Sequence, residues 1–295
     1  MKHTSKHPDV NAFFDPATNT VSYVVSDPAT KRAAVIDSVM DYDPHGAHIS
    51  FESADRIIAY VTSQKLDVEW ILETHAHADH LSAAPYLQQK IGGKIGIGKE
   101  ILTVQGTFGK IFNAGTEFQR DGSQFDHLFE DGDTFTIGTL SARVLHTPGH
   151  TPADITYVIG DAAFVGDTIF MEDYGTARCD FPGGSPDVLY HSVQKIFMLP
   201  DDTRVFVGHD YLPPERMEYR WETTIGKERA HNVHIHDGVT QNEFAQKRSS
   251  RDATLGMPRL IIPSIQVNIR AGNLPASEDN GVAYLKVPIN LFGGK

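Results

Sequence analysis

Between positions 75 and 80 the chain places His75, His77, Asp79 and His80 in the run Thr74-His75-Ala76-His77-Ala78-Asp79-His80. The residues before it, Val68-Glu69-Trp70-Ile71-Leu72-Glu73-Thr74, read as a strand. Those after it, Leu81-Ser82-Ala83-Ala84-Pro85-Tyr86-Leu87, read as a helix. A loop at the end of a strand can aim several side chains at one point, and neutral imidazoles beside ionised carboxylates are what metal ions require there. A solvated turn would use Asp79 as a helix cap but would leave the spaced histidines without a purpose. The run reads as a metal site, and it demands a fold in which strand ends converge.

Three later segments supply such ends: Val144-Leu145-His146-Thr147-Pro148-Gly149-His150-Thr151, Phe164-Val165-Gly166-Asp167-Thr168 and Val205-Phe206-Val207-Gly208-His209-Asp210. Each is a short apolar stretch running into a glycine-containing turn that presents His150, Asp167 or His209. Singly, these residues have ordinary readings as surface histidines or turn aspartates. In this order behind the first run, they complete a ligand set. His146 reads as a packing or supporting residue, because a strand followed by a turn does not bring it and His150 to the same ion.

The assembled segments resemble the metallo-β-lactamase superfamily. That resemblance implies an α/β fold, an αβ/βα four-layer sandwich with metal at one edge of two facing sheets. It maps His75, His77 and His150 to one metal position and Asp79, His80 and His209 to another, with Asp167 between them. A finer resemblance, to the persulfide dioxygenases (sulfur dioxygenases), is carried by Gly166–Pro182, by Leu72–Ala84 and by Gly208-His209-Asp210-Tyr211-Leu212-Pro213. Asn232–His236, Gln266–Arg270 and Tyr284-Leu285-Lys286 match the bacterial form of that family, so the likeness runs from about Phe13 to about Asn290.

This resemblance implies one iron(II) per chain, held by the catalytic set His75, His150 and Asp167, with His77, Asp79, His80 and His209 as outer groups or as ligands of a second metal. Two histidines and one carboxylate on one face leave positions open for dioxygen and a substrate sulfur. Ligand types alone do not choose iron over zinc; the family likeness makes that choice. The implied reaction oxidises glutathione persulfide with dioxygen and water to sulfite and glutathione. Arg178 is expected to grip a glutathione carboxylate, with Tyr211, Arg270 and Lys286 as further substrate-binding expectations. The alternative is a hydrolase with two zinc ions acting on a thioester, of the glyoxalase II (hydroxyacylglutathione hydrolase) type. A sensor that merely retains metal is a third reading.

Composition bounds the rest. A net charge of −12 and the lack of a basic stripe argue against nucleic acid as a partner. Cys179 is the single cysteine, so no internal disulfide can form and a reducing compartment is natural; it reads as a small buried residue, or as an oxidisable one beside the site. Met1–Pro8 lacks the apolar core of a secretory signal and no later run reaches membrane-spanning length. A soluble cytoplasmic protein without a membrane partner is expected, and the resemblance implies a homodimer.

Residues 10–212 are expected to form the metal-binding core, and 213–295 to complete the same domain and cover the substrate cleft. Strands are predicted at 21–25, 33–37, 94–97, 134–137, 142–145, 155–158 and 205–207, with helices at 53–65 and 188–198. Beyond Pro213-Pro214, a helix is predicted over 218–230, and His231–His236 as a strand or helix tail without a second metal. A further helix is predicted over 244–255, with Lys247, Arg248 and Arg251 as its solvated face, and then an extended segment from Met257.

Overall fold

Strand alternation builds the centre of the molecule. In a computed structural model, which describes residues 7–292, Val21, Tyr23 and Val25 of the strand Thr20–Ser26 point into one apolar cluster and Val24 into another. Ala34 and Ile36 of Arg32–Ile36 divide from Ala33 and Val35 in the same way. Both faces of this sheet are therefore covered.

The sheet has six strands, in the order Asp9–Asp15, Thr20–Ser26, Arg32–Ile36, Asp67–Leu72, Lys94–Gly98 and His127–Phe129. A second six-stranded sheet runs Thr134–Ile137, Leu140–His146, Ile155–Ile159, Ala162–Phe164, Arg204–Phe206 and Glu222–Thr224. Between them lie Tyr23, Ile36, Leu72, Phe129, Val144, Tyr157, Phe164 and Phe206. The outer face of the first sheet packs on the helices Glu52–Gln64, Ala84–Ile91 and Ile101–Ile111 through Ile57, Leu87 and Phe108. The outer face of the second packs on Pro186–Ile196, Ile225–His231 and Gln241–Asp252 through Leu189, Val193, Ile225 and Phe244. Helix, sheet, sheet, helix is the expected sandwich. A small third sheet pairs Val39–Asp43 with His48–Ser50 and Leu81–Ser82.

The C-terminal third departs from expectation in three places. The helix predicted over 218–230 is the strand Glu222–Thr224, paired with Arg204–Phe206, followed by the short helix Ile225–His231. The Thr224 side chain accepts from Lys227 N, so the helix starts only there. Arg248 is not on a solvated face. It is 3% exposed, donates to Thr176 O at 2.9 Å and pairs with Asp252 one helical turn away, while Asp252 also accepts from Cys179 N at 2.9 Å. The segment from Met257 contains the helix Ile261–Asn268; Pro263 falls in its first turn, where a missing N–H leaves no helical bond unmade.

Among the described residues no helix is long and apolar enough to cross a membrane. Met1–Lys6, part of the stretch read for a secretory signal, lie outside the described residues.

Candidate metal centre

The ligand-bearing turns all follow the carboxyl ends of strands: Asp67–Leu72 leads to His75, Leu140–His146 to His150, Ala162–Phe164 to Asp167 and Arg204–Phe206 to His209. Backbone bonds stitch these turns together across the two sheets, Ile155 N to Thr74 O at 3.0 Å, Gly208 N to Gly166 O at 3.0 Å and Val21 N to Gly208 O at 2.8 Å. Two glycines allow the approach. Gly166 has φ +50°, and a Cβ there would stand 2.5 Å from Thr74 Oγ1. A Cβ on Gly208 would stand 2.7 Å from Asp167 Oδ1.

One ligand atom each from His75, His150 and Asp167 lies within 4.8 Å of the others, and all three residues are buried. Asp167 Oδ2 is 3.9 Å from His75 Nε2 and 3.7 Å from His150 Nε2, too far for hydrogen bonds and close enough for one ion to touch all three. The surroundings set each ring. Thr74 Oγ1 spends its proton on Asp37 Oδ2 at 2.8 Å, so at 3.0 Å from His75 Nδ1 it accepts the Nδ1 proton. His150 Nδ1 faces the carbonyl of Arg178 at 2.8 Å, which can only accept. His80 Nδ1 faces Leu81 O at 3.2 Å, and His77 Nε2 lies 3.1 Å from both Asp37 Oδ1 and Glu73 Oε2.

Every one of these imidazoles thus donates outward and turns its other nitrogen inward. His75 Nε2, His77 Nδ1 and His80 Nε2 are buried without a hydrogen-bond partner. Inward lone pairs with no protein donor to meet them are what a cation would use, and outer hydrogen bonds of this kind orient metal ligands. The residues fit a metal.

Electrostatics agrees. Burial, helped by the neighbouring imidazoles, holds His75 well below its ordinary value, and burial pushes His80 down to about 4. Both rings are neutral, the form that binds metal. His77 differs: burial alone would lower it too, but the Asp37 and Glu73 carboxylates outweigh it and hold that ring well above its ordinary value, so a metal at its Nδ1 must displace a proton.

A second group is present. His77, Asp79 and His80 converge, as do Asp79, Asp167 and His209, so Asp167 stands between two positions. His209 Nε2 is 3.2 Å from Asp79 Oδ2 and 3.4 Å from Asp167 Oδ1. The structure therefore brings together all seven residues singled out from the sequence. His146 donates to Pro152 O at 2.8 Å, a packing role. His234 Nδ1 accepts from Thr176 N at 3.0 Å, and among the described residues the 231–236 histidines form no metal group.

Sequence reading missed Asp37, Glu73 and Thr74 as supports of the histidines. It also misjudged the cations of the cleft. The cleft, about 320 Å³, opens over Asp79, His150 and Asp167, with Tyr174 and Tyr211 on one wall. Tyr211 stacks on His209 at 5.4 Å between ring centres. Arg178 also lines the cleft, but its fork is spent on Asp180 at 2.6 and 2.7 Å and on Gly256 O at 2.6 Å, so it is not free for a substrate carboxylate. Arg270 and Lys286 are not in this cleft at all; they line a separate cavity at the far end of Ile261–Asn268. The expectation rests on C-terminal segments that carry the family resemblance, and the chain beyond Asn268 takes both residues to the other cavity. The uncommitted cleft cations are Arg251 and Arg259, whose guanidiniums make no ion pair or hydrogen bond among the described residues. Cys179 is buried beneath the cleft, and burial pushes its thiol up, which suits an inert packing residue.

A family profile described as the metallo-beta-lactamase superfamily matches residues 15–209. A probable metallo-hydrolase of Burkholderia pseudomallei is 54% identical over 96% of this chain and 99% of its own length. A Dictyostelium discoideum protein named glyoxylase B2 is 49% identical over 96% of this chain and 97% of its own. The human mitochondrial persulfide dioxygenase ETHE1 is 30% identical over 67% of this chain and 66% of its own length. The crystal structure of ETHE1 from Myxococcus xanthus aligns with a TM-score of 0.71 at 28% identity, covering 90% of this chain and all of that one (100%).

Proposed function

The chain belongs to the metallo-β-lactamase superfamily, and from that membership we propose that it is an iron(II)-dependent dioxygenase converting glutathione persulfide, dioxygen and water to glutathione and sulfite. The convergence of His75, His150 and Asp167, two imidazoles and one carboxylate, carries this reading. The likeness to the human persulfide dioxygenase supports it. His75, His150 and Asp167 would hold one iron. When bound, iron(II) supplies the redox chemistry that dioxygen requires and that zinc lacks.

The rest is done by the chain. Thr74 and the Arg178 carbonyl fix the rings of His75 and His150. The paired His209 and Asp79, close to Asp167, can hold and pass protons beside the reacting sulfur. Tyr174 and Tyr211 wall the cleft against water, and Arg251 and Arg259 at its mouth meet the carboxylates of the tripeptide.

A second reading has its own observation. The group His77, Asp79 and His80 offers a second metal position, and the Burkholderia relative is named as a probable metallo-hydrolase. With two zinc ions the same cleft would suit a glutathione thioester.

The deciding experiment loads the chain with iron under anaerobic conditions, counts bound metal and follows dioxygen uptake with glutathione persulfide. About one iron per chain, with sulfite matching the oxygen consumed, supports the dioxygenase. Two zinc ions, no oxygen uptake and turnover of an acylglutathione replace it with the hydrolase.

A further inference from the structure

At the far end of Ile261–Asn268 lies a cavity of about 490 Å³ that shares no lining residue with the metal cleft. Its walls are Phe112, Phe118, Leu274 and Tyr284, and two cations face it, Arg270 and Lys286. Arg270 lies over the Phe118 ring, 4.4 Å from its centre, and donates through Nη1 to Gln266 O at 2.5 Å. Among the described residues no carboxylate pairs with it. Glu117 acts on it only through space, and burial lowers its ordinary basicity. Lys286 Nζ gives one bond, to Asn113 O at 2.6 Å, and keeps two donors.

A half-buried guanidinium without an anion has lost water and gained only a ring and one backbone carbonyl. It stands in a chain of net charge −12 with 38 aspartates and glutamates, yet none of those described pairs with it. An anion arriving from outside would complete it. The planar fork suits a carboxylate. The aromatic walls suit an apolar body. Glu117 and Glu278, which also line the cavity, disfavour a dianion such as phosphate more than a single carboxylate.

We propose that this cavity is a binding site for a small organic monocarboxylate with an apolar body, its carboxylate held by Arg270 and Lys286 and its body lying against Phe112 and Tyr284.

The probe is benzoate, measured by equilibrium dialysis against the whole chain. Saturable binding of one equivalent is expected, at about millimolar affinity or tighter. Arg270→Gln should weaken it about tenfold or more, the scale of one charge-assisted bond, and Arg270→Lys by less. Arg259→Gln, in the metal cleft, should leave it unchanged. Should Arg270→Gln fail to fold, Arg270→Lys and Lys286→Met carry the test. No saturable binding overturns the proposal. So does binding that falls with Arg259→Gln but survives Arg270→Gln, or benzoate displaced by equimolar inorganic phosphate. None of these readings depends on what reaction the metal centre performs.

Discussion

The side-chain amide of Asn268 donates to the backbone carbonyl of His77 at 2.8 Å, joining the C-terminal helix to the metal loop across 191 positions of sequence. The same Nδ2 donates to His80 O at 2.8 Å, and Oδ1 accepts from Ser82 N at 2.8 Å. Asn268 is buried, so one amide sets the backbone of most of the His75–His80 loop. Asn268→Ala should weaken metal retention by about 10- to 100-fold, the scale seen when outer supports of metal ligands are removed. Asn268→Asp is isosteric yet should be no better, since it puts a carboxylate oxygen against two carbonyls. Metal remaining after dialysis against a chelator reads the effect, with circular dichroism to show an intact fold. Full retention in Asn268→Asp would remove the clamp.

This clamp shows where sequence stops being informative. The His75–His80 run was legible because its ligands are neighbours in the chain, and the later turns because each ends an apolar strand. Asp37 was not legible as a support. It closes an apolar strand like many surface aspartates, and gains its role only because Ile36 pairs with Leu72 in parallel register, setting it beside Thr74 and His77. Arg248 was read as solvated because helical spacing gave it a polar face; its partners, Thr176 and Asp252, bury it. Arg178 had the right position, but Asp180, two residues on, had already taken its fork. Partners of long side chains are a tertiary fact.

The uncommitted guanidiniums of Arg251 and Arg259 should do what Arg178 was expected to do. Arg251 lies over Tyr174 at 6.0 Å, a loose contact that leaves its donors available. Under the proposed function, Arg251→Gln and Arg259→Gln should each raise KM for glutathione persulfide about tenfold, with kcat nearly unchanged, as expected for removing binding shared by ground and transition states. Arg178→Ala should instead lower kcat and metal content, because it removes the side-chain bonds to Asp180 and Gly256 O that hold the segment whose backbone carbonyl orients His150. A KM effect confined to Arg178 would reverse this assignment.

Gly208 should tolerate nothing larger. Its Cβ would sit 2.7 Å from Asp167 Oδ1 and 3.0 Å from the Gly166 backbone, so Asp167 must swing or the turn must open. Gly208→Ala should lose metal while its unloaded form keeps near-normal melting, since the clash falls on the ligand and on one turn and not on the core. Metal analysis beside a melting curve checks this; a variant that binds a full complement of metal would show that the turn yields freely.

Glu228 gives a pH dependence independent of the metal. It is fully buried on the helix Ile225–His231, Asn232 Nδ2 donates to its Oε2 at 2.7 Å, and Oε1 has no partner. Burial, with the charges of Glu172 and Asp173 adding to it, raises the carboxyl well above its ordinary 4.5. The folded chain thus binds this proton more tightly than the unfolded chain does. Its contribution to stability is complete below about pH 4.5 and is lost as pH rises through the folded value. Glu228→Gln keeps the Asn232 bond and removes the charge. The variant should melt higher than the parent at neutral pH, and the gap should close as pH falls toward 4.5. Melting temperatures across that range decide it. A constant gap at all pH values would mean that packing, not ionisation, distinguishes the two side chains.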